Sequence, residues 1–530
     1  MSRAHVLFWL HPESPAAYEV INDPENAYLI DRSHPSPCFA IGHFRSKCGR
    51  RETLVTIGRL GDIVLRSTTF SREQCSFEID PTTNVIMFHD SSRVGTSNVH
   101  GRDSTPFRFG SPRKVVVQQG LNTYIGMGGQ RRDIVVFRMQ WPHASPETLK
   151  LVEARDVRAL AVNPRFLRTD SGNTETEVPT KAQTRVHSAR PERPMIRWAK
   201  IDALGAGAFG EVIRAVDVDT GRLVAVKTVK IRQDQHRDAS FATLKREIET
   251  IGRIEHPFVV DWICSQASIN SPEAHIVMEL MKGSLYSLLG GQWLPVEQLN
   301  SVTNLVLTHM LQALDCLASE DIIHRDVKPE NILYTHGPDG KPVFKLGDFG
   351  VCNHAAQAQT QSGTAIYMAP EFWSPQGQGQ GERAQTTKAD TWSLLVVLLW
   401  VYDFRGFRRE AYGAGFNLST VPQRAAEATA PGQRLHQLAP MARRDPGRRA
   451  SAAQMMVLLD MFSQEPKAIL CSHGKDPGKI PALSADETPP PVHVPVPVPA
   501  PVSSSSSRLA GRRSSGMRAG HALVQTMDLD

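Results

Sequence analysis

Along the first 142 positions, apolar and β-branched residues come in short runs broken by turn residues, with little of the three-to-four spacing of a helix face. Leu54 to Ile57, Ile63 to Leu65, Val85 to Phe88, Val115 to Val117 and Ile134 to Phe137 read as strands, and Val6 to Leu10 is a further strand candidate. So many short strands separated by turn signals predict an all-β sandwich. The pattern fades from about Ala144 to Pro194, apart from a short helical stretch around Glu147 to Leu160. Thr169 to Pro194 is rich in threonine, serine, arginine and proline, which predicts a flexible connector that cannot bury enough surface to fold alone.

Periodicity returns near Ile196 and holds to about Phe462. Strand-like residues flank Gly205 to Gly210, and in Leu223 to Lys227 the period of two puts Ala225 and Lys227 on one face. Phe241, Leu244, Ile248 and Ile251 recur at helical spacing. A strand over Ala274 to Leu280, a long helix from about Val296 to Ser319, and a hairpin of Ile332 to Tyr334 against Val343 to Leu346 follow. Beyond Phe462 the chain turns to proline, serine and arginine, which predicts an extended, disordered tail. The expected division is a sandwich at 1–142, a mostly flexible linker at 143–194, an α+β domain at 195–463 and the tail at 464–530.

Composition agrees with two folded domains plus tails, since single cores stop growing near about 250 to 300 residues and this chain has 530. Hydrophobic residues at 41% and charged ones at 22% are globular values, and a net charge of +6 does not by itself imply nucleic acid. The seven cysteines are scattered and form no C-x-x-C pair, which argues for a reducing compartment and against structural zinc or a disulfide framework. The apolar run Val6 to Leu10 is too short for a signal peptide's core, and Leu394 to Val401 falls far below the ~20 residues of a membrane span. A soluble, intracellular protein without a direct nucleic-acid or membrane partner is expected.

The chemistry concentrates in I-H-R-D-V-K-P-E-N-I-L, from Ile323 to Leu333. Asp326 can accept a proton from a hydroxyl nucleophile, Lys328 can neutralise charge on a moving phosphoryl group, and Asn331 can hold a magnesium ion. Upstream, Gly205, Gly207 and Gly210 let backbone approach phosphates closely. A G-x-G-x-x-G also suits a dinucleotide, but that reading needs a helix to open at the motif. Here Val212, Ile213, Ala215 and Val216 continue as strand. Ala225 would leave room for adenine, Lys227 would reach the α and β phosphates, and Asp348 of Asp348-Phe349-Gly350, behind the hairpin, is positioned as a second magnesium ligand.

This set resembles the eukaryotic protein kinases, and the lysine two residues after Asp326 resembles their serine/threonine branch. The resemblance implies a bilobal α+β fold, ATP and Mg2+, and protein substrates bearing serine or threonine. It implies an ATP site of Leu204, Gly205, Gly207, Gly210, Val212, Ala225 and Lys227, with Met278 as gatekeeper and Glu279 to Met281 as hinge. It further implies an active-state pair of Lys227 with Glu247, catalysis by Asp326 with Lys328, and metal held by Asn331 and Asp348. Thr360 and Ser362 are candidate regulatory phosphosites, because Arg325 could pair with an added phosphate. Thr364 is read as a substrate-loop residue first and a phosphosite second. Asp390-Thr391-Trp392-Ser393 matches the helix that steadies the catalytic loop, and Arg449 is expected to pair with Glu371. Leu395 stands where the family usually has glycine, and Ser393 to Asp445 is shorter than usual, so the peptide-binding floor is expected to be unusual.

In the N-terminal region, Gly58-Arg59, then Ser71-Arg72 before Cys75, then Asp90-Ser91-Ser92-Arg93-Val94-Gly95-Thr96 fall on loops. The succession resembles a forkhead-associated (FHA) domain, a β-sandwich that binds phosphothreonine peptides through its loops. Arg59 can clasp phosphate bidentately, the Ser71 hydroxyl can donate to it, and Arg72 and Arg93 can add charge. Gln74 replaces the family's usual histidine and Val94 its usual asparagine. FHA followed by kinase resembles the fungal checkpoint kinases, which implies a nuclear setting, phosphothreonine-containing partners and self-association through the FHA domain. The alternative class is a phosphopeptide-binding adaptor with a catalytically weak kinase-like scaffold. A third reading is a kinase whose sandwich no longer binds phosphate.

Overall fold

A computed structural model describes residues 6–42, 44–155, 195–207, 210–231, 248, 252, 254–267, 272–290, 294–348, 364–373, 386–413 and 416–461. The expected linker beyond 155 and the tail lie outside these residues, as do Glu247, Thr360 and Ser362.

The N-terminal strands are β1 (Val6–Pro12), β2 (Ile30–Asp31), β3 (Cys38–Gly42), β4 (Thr53–Gly58), β5 (Ile63–Val64), β6 (Cys75–Ile79), β7 (Ile86–Asp90), β8 (Ser97–His100), β9 (Lys114–Val116), β10 (Tyr124–Met127) and β11 (Val135–Gln140). They form a six-stranded sheet in the order β2-β3-β1-β11-β10-β8 and a five-stranded sheet in the order β5-β4-β6-β7-β9. Residues of both sheets, among them Leu7, Phe39, Phe77, Phe88 and Phe137, share one buried core, so the expected sandwich is present. Burial on this scale is its main source of stability, at roughly 25 cal/mol per Å2 of apolar surface.

Two helices accompany the sheets. Helix α1 (Pro15–Asn22) starts where Ser14 accepts from the Ala17 amide and Pro15 presets the first turn. Helix α2 (Ser145–Glu153) overlaps the first half of the stretch read as a helix within the linker, whose end beyond 155 lies outside the described residues, and Val152 joins the sandwich core, so the folded unit extends past position 142.

In the second region, β12 (Trp198–Gly207), β13 (Gly210–Asp217), β14 (Leu223–Lys230), β15 (Trp262–Ala267) and β16 (Glu273–Glu279) make one sheet in the order β12-β13-β14-β16-β15. Below it, β17 (Gly283–Ser284), β18 (Ile332–His336) and β19 (Pro342–Leu346) pair in that order. The helices here are α3 (Leu285–Leu289), α4 (Val296–Ser319), α5 (Lys388–Val401), α6 (Phe407–Ala411), α7 (Val421–Ala428) and α8 (Ala452–Leu458). Helix α5 is buried on every side, with Trp392, Leu394 through Leu399 and Trp400 all inaccessible. Its run of apolar residues is therefore that of a central core helix. Among the described residues, no helix is long and apolar enough to cross a membrane.

The sandwich and the upper sheet share a core. Val216 and Val218 belong to the same hydrophobic cluster as the sandwich residues. At the β9 edge the Val116 amide donates to the Val218 carbonyl (2.9 Å), and Arg197 Nη1 donates to the Pro106 carbonyl (2.8 Å).

Two histidines in the lower region are buried and act as acceptors. Nδ1 of His309 accepts from the Phe344 amide at 3.2 Å while the ring stacks on Phe258, and Nδ1 of His256 accepts from the Phe258 amide at 3.2 Å. Burial lowers His309 to about 4, and burial assisted by Lys345 does the same for His256. The unfolded chain therefore binds more protons than the folded one between about pH 4 and 6.5, and stability falls as pH drops through that window. The expected loss from pH 7 to 5 is roughly 2 kcal/mol per histidine. The difference in unfolding free energy between those pH values should shrink by that amount in His309→Phe; an undiminished difference would refute the assignment.

Candidate active site

The segment between α4 and β18 carries Asp326, Lys328 and Asn331, and the rest of the structure holds this segment by its backbone. Asp390, wholly buried on α5, accepts from the amides of His324 (2.7 Å) and Arg325 (2.9 Å). Arg325 takes a left-handed backbone at φ +67°. Nε2 of His324 donates to the Gly347 carbonyl (3.0 Å) and its Nδ1 accepts from the Asp326 amide (3.3 Å), a pattern that a single neutral tautomer satisfies. Burial pushes the Asp390 carboxyl upward, against the pull of His324, Arg325 and the two amide hydrogen bonds.

Within this frame the two oxygens of Asp326 differ. Oδ2 accepts from Lys328 Nζ (2.8 Å) and from Asn331 Nδ2 (2.9 Å), and Nδ2 also donates to the Asp326 carbonyl (2.8 Å). Oδ1 is buried and has no hydrogen-bond partner. A buried carboxylate oxygen left without a donor costs about 1 to 3 kcal/mol or more. The arrangement thus fixes one oxygen of the carboxylate and leaves the other without a donor.

Lys227 stands on β14, 7% exposed, opposite Val212 on β13 and Ile276 on β16. Ala225 is buried two residues earlier, opposite Met278. The Lys227 ammonium pairs with Oδ1 of Asp348, whose backbone is left-handed at φ +53°. Burial pushes Asp348 up, but Lys227 outweighs it and holds the carboxyl below its ordinary value, so it is ionised. The sequence reading paired Lys227 with Glu247; the partner seen among the described residues is Asp348, which β19 delivers to the same place.

Gly210 has φ +126°, and a Cβ there would lie 1.9 Å from the Thr228 carbonyl, so only glycine lets β13 close on β14 at that point. No atom comes within 4 Å of the position a Cβ would take on Gly205, which leaves that strand face open. Leu204 is exposed. The Glu279 carboxylate accepts from Lys345 Nζ (2.6 Å) and the Asp261 amide (2.7 Å), so of the hinge residues its side chain serves the structure. The Asp348 carboxylate and the Asn331 amide oxygen, turned away from the donating Nδ2, are hard oxygen donors of the kind a divalent ion such as Mg2+ takes.

Residues 198–456 match the family model described as "Protein kinase domain". The chain is 32% identical over 281 residues to Mitogen-activated protein kinase kinase kinase 3 of Homo sapiens, covering 50% of this chain and 41% of that protein. It is 31% identical over 231 residues to Serine/threonine-protein kinase pak-1 of Caenorhabditis elegans, covering 43% and 36%, and 29% identical over 225 residues to Serine/threonine-protein kinase SSK22 of Saccharomyces cerevisiae, covering 38% and 16%. The segment is a serine/threonine protein kinase domain. These alignments span less than half the length of the curated relatives.

The kinase domain is braced from below by a buried ion pair. Arg449 donates through Nη1 and Nη2 to the two oxygens of Glu371 at 2.7 and 2.8 Å. Tyr367 and Tyr412 share a hydrogen bond of 3.0 Å, and Tyr412 donates to Glu330 (2.9 Å), tying the segment after Thr364 to the catalytic loop. Sequence reasoning missed this network, because nothing in the spacing of Glu330, Tyr367 and Tyr412 marks them as neighbours. Leu395, where glycine was expected, is inaccessible in the core.

At one end of the sandwich the loop residues singled out above are brought together. The amides of Arg59 and Leu60 donate to the carbonyls of Ser71 (3.1 Å) and Arg72 (2.9 Å), an approach that Gly58 permits because a Cβ there would meet the Arg72 carbonyl at 2.4 Å. Arg59 Nε donates to the Phe70 carbonyl (2.8 Å). Gln74, fully buried, accepts from the Ser71 amide (3.0 Å) and donates to the hydroxyls of Thr96 (2.7 Å) and Ser97 (2.8 Å). It therefore fastens the loop of Ser71 to the loop of Arg93. Arg72, Arg93 and Val94 are exposed. Arg132, not anticipated, reaches the same rim by donating to the Gly95 carbonyl at 2.7 Å.

Proposed function

We propose that this protein is an ATP- and Mg2+-dependent kinase that phosphorylates serine or threonine on protein substrates and is recruited to phosphothreonine-containing partners through its N-terminal sandwich. The observation that carries the catalytic half is the unpartnered Oδ1 of Asp326 beside Lys328 and Asn331. In this reading Asp326 Oδ1 takes the proton of the incoming hydroxyl, and Lys328 stabilises charge on the transferring phosphoryl group. Lys227 holds the α and β phosphates, while Asn331 and Asp348 hold the metal, whose contribution is to neutralise phosphate charge. Gly205, Gly207 and Gly210 cover the phosphates, and Ala225, Val212, Leu204, Met278 and the backbone from Glu279 to Met281 enclose the base.

The recruitment half rests on the pairing of the Arg59 loop with the Ser71-Arg72 loop and on Gln74, which joins the latter to the end of the loop that carries Arg93. The cellular setting proposed is checkpoint or stress signalling in the nucleus, by analogy with kinases that carry an FHA domain. Transfer of radiolabelled phosphate from ATP to a generic protein substrate, in the intact chain and in Asp348→Ala, tests the first half. Label on serine or threonine only in the intact chain is expected; none in either, even after an upstream kinase is supplied, would favour a phosphopeptide-binding scaffold. For the second half, Arg59→Ala is expected to weaken phosphothreonine-peptide binding at least about tenfold, the loss of one charged hydrogen-bond set. Equal binding by both proteins would refute that half and leave a kinase with an inert sandwich.

A further inference from the structure

Three side chains that neither the kinase domain nor the phosphopeptide rim uses meet on the β1–β3 side of the sandwich. His11 lies at the penultimate position of β1, His34 in the turn between β2 and β3, and Cys38 at the first residue of β3. One ligand atom from each lies within 4.8 Å of the others. The two imidazoles sit edge to face, with centroids 5.2 Å apart.

The bonding of these groups is incomplete. His11 is 7% exposed and its buried Nε2 has no hydrogen-bond partner; Nε2 of His34 is also buried and unpartnered. The nearest acidic oxygen to His34 Nε2, Oδ2 of Asp31, is 3.9 Å away, too long for a hydrogen bond. Cys38 is inaccessible, and its sulfur makes one weak contact, at 3.8 Å to the Asp31 carbonyl. Two orphaned imidazole nitrogens beside a buried thiol form a costly arrangement unless something accepts their lone pairs.

The surroundings fix the groups in place. Trp9 packs edge-on against His34, with centroids 4.7 Å apart, and donates through Nε1 to Asp31 at 3.1 Å. The Ser33 amide donates to the same carboxylate at 2.9 Å. Pro35 and Pro37 flank the turn that joins His34 to Cys38, which limits its conformations.

We infer that His11, His34 and Cys38 form a zinc-type transition-metal site on the outer part of the sandwich, with Asp31 beside it as fourth ligand or as the group that orients His34. Two imidazole nitrogens and a thiolate are borderline-soft donors, which suit Zn2+ and not Mg2+ or Ca2+. Ligand atoms around a tetrahedral Zn2+ at about 2.0 to 2.3 Å stand roughly 3.3 to 3.8 Å apart, so the cluster contracts by about 1 Å on binding. The buried thiol releases its proton to solvent as the Zn–S bond forms. The site ties β1, the β2–β3 turn and β3 together by a route that hydrogen bonding alone leaves incomplete.

The test uses the full chain, stripped with a chelator and titrated with Co2+ and then Zn2+. One equivalent of Co2+ should give a thiolate-to-cobalt charge-transfer band with tetrahedral d–d absorption, and Zn2+ should displace it. Cys38→Ser should abolish the charge-transfer band. His34→Asn, at a half-buried turn position, should weaken Zn2+ binding measured by chelator competition at least about a hundredfold, with cooperative thermal unfolding retained. A charge-transfer band that survives Cys38→Ser would overturn the site, as would unchanged Zn2+ affinity in His34→Asn or the absence of any band in the parent chain.

Discussion

Asp326→Ala is expected to lower the rate of phosphate transfer by about a hundred- to ten-thousandfold, the range a positioned general base supplies, while phosphothreonine-peptide binding is retained. The size follows from the asymmetry of the carboxylate. Lys328 and Asn331 hold Oδ2 at 2.8 and 2.9 Å, so Oδ1 is aimed before any substrate arrives. Alanine removes the base and also leaves the Lys328 ammonium without its carboxylate. Asp326→Asn keeps the shape of the side chain and removes its basicity, so it separates proton acceptance from positioning. If Asp326→Asn retained the parent rate in single-turnover transfer, Oδ1 would not be the base.

The second large effect concerns stability. Arg449 is wholly inaccessible, and every nitrogen of its guanidinium donates: Nη1 and Nη2 to Glu371, Nε to the Arg443 carbonyl at 2.8 Å, Nη1 to the Lys388 carbonyl at 3.3 Å and Nη2 to the Arg444 carbonyl at 3.1 Å. The plane also lies over the Trp392 ring, 5.2 Å from its centroid. Arg449→Leu removes one partner of a buried pair and leaves the Glu371 carboxylate, 5% exposed, without compensation. Such a change costs about 3 to 5 kcal/mol, because the desolvation penalty of the surviving charge remains. The double variant with Glu371→Leu should lose less than Arg449→Leu alone. Denaturant unfolding of the three proteins decides it, and a single variant within about 1 kcal/mol of the parent would refute the account.

The pair itself was readable from sequence, because its two members sit in recognisable motifs on either side of α5. The long helix α4, the hairpin of β18 and β19, and the strand carrying Ala225 and Lys227 were also readable, since each rests on a local period or a turn signal. Other relations were not readable. Lys227 on β14 meets Asp348, two residues after β19, across 121 positions of chain, a relation that no local pattern marks. Gln74 looked like the loss of a histidine; in the fold its amide both accepts and donates, and so supports two loops at once.

The largest difference between expectation and structure lies between the two domains. A flexible connector predicts separate bodies, yet Val216 and Val218 of the kinase domain are buried in the sandwich core and Val116 donates to the Val218 carbonyl. Nothing in the alternation around Val218 marks which outside body will cover it, because a period of two specifies which face is apolar and not what lies against it.

Taken by itself, the sequence determined most of the kinds of element present and the α+β character of the kinase region, because those depend on local periodicity and on side-chain chemistry. Tertiary structure alone decided which oxygen of Asp326 is left without a donor, that Asp348 reaches Lys227, that sandwich and kinase share a core, and that His11, His34 and Cys38 converge. These are relations between residues distant in the chain, set by strand order and by packing, and no local pattern encodes them.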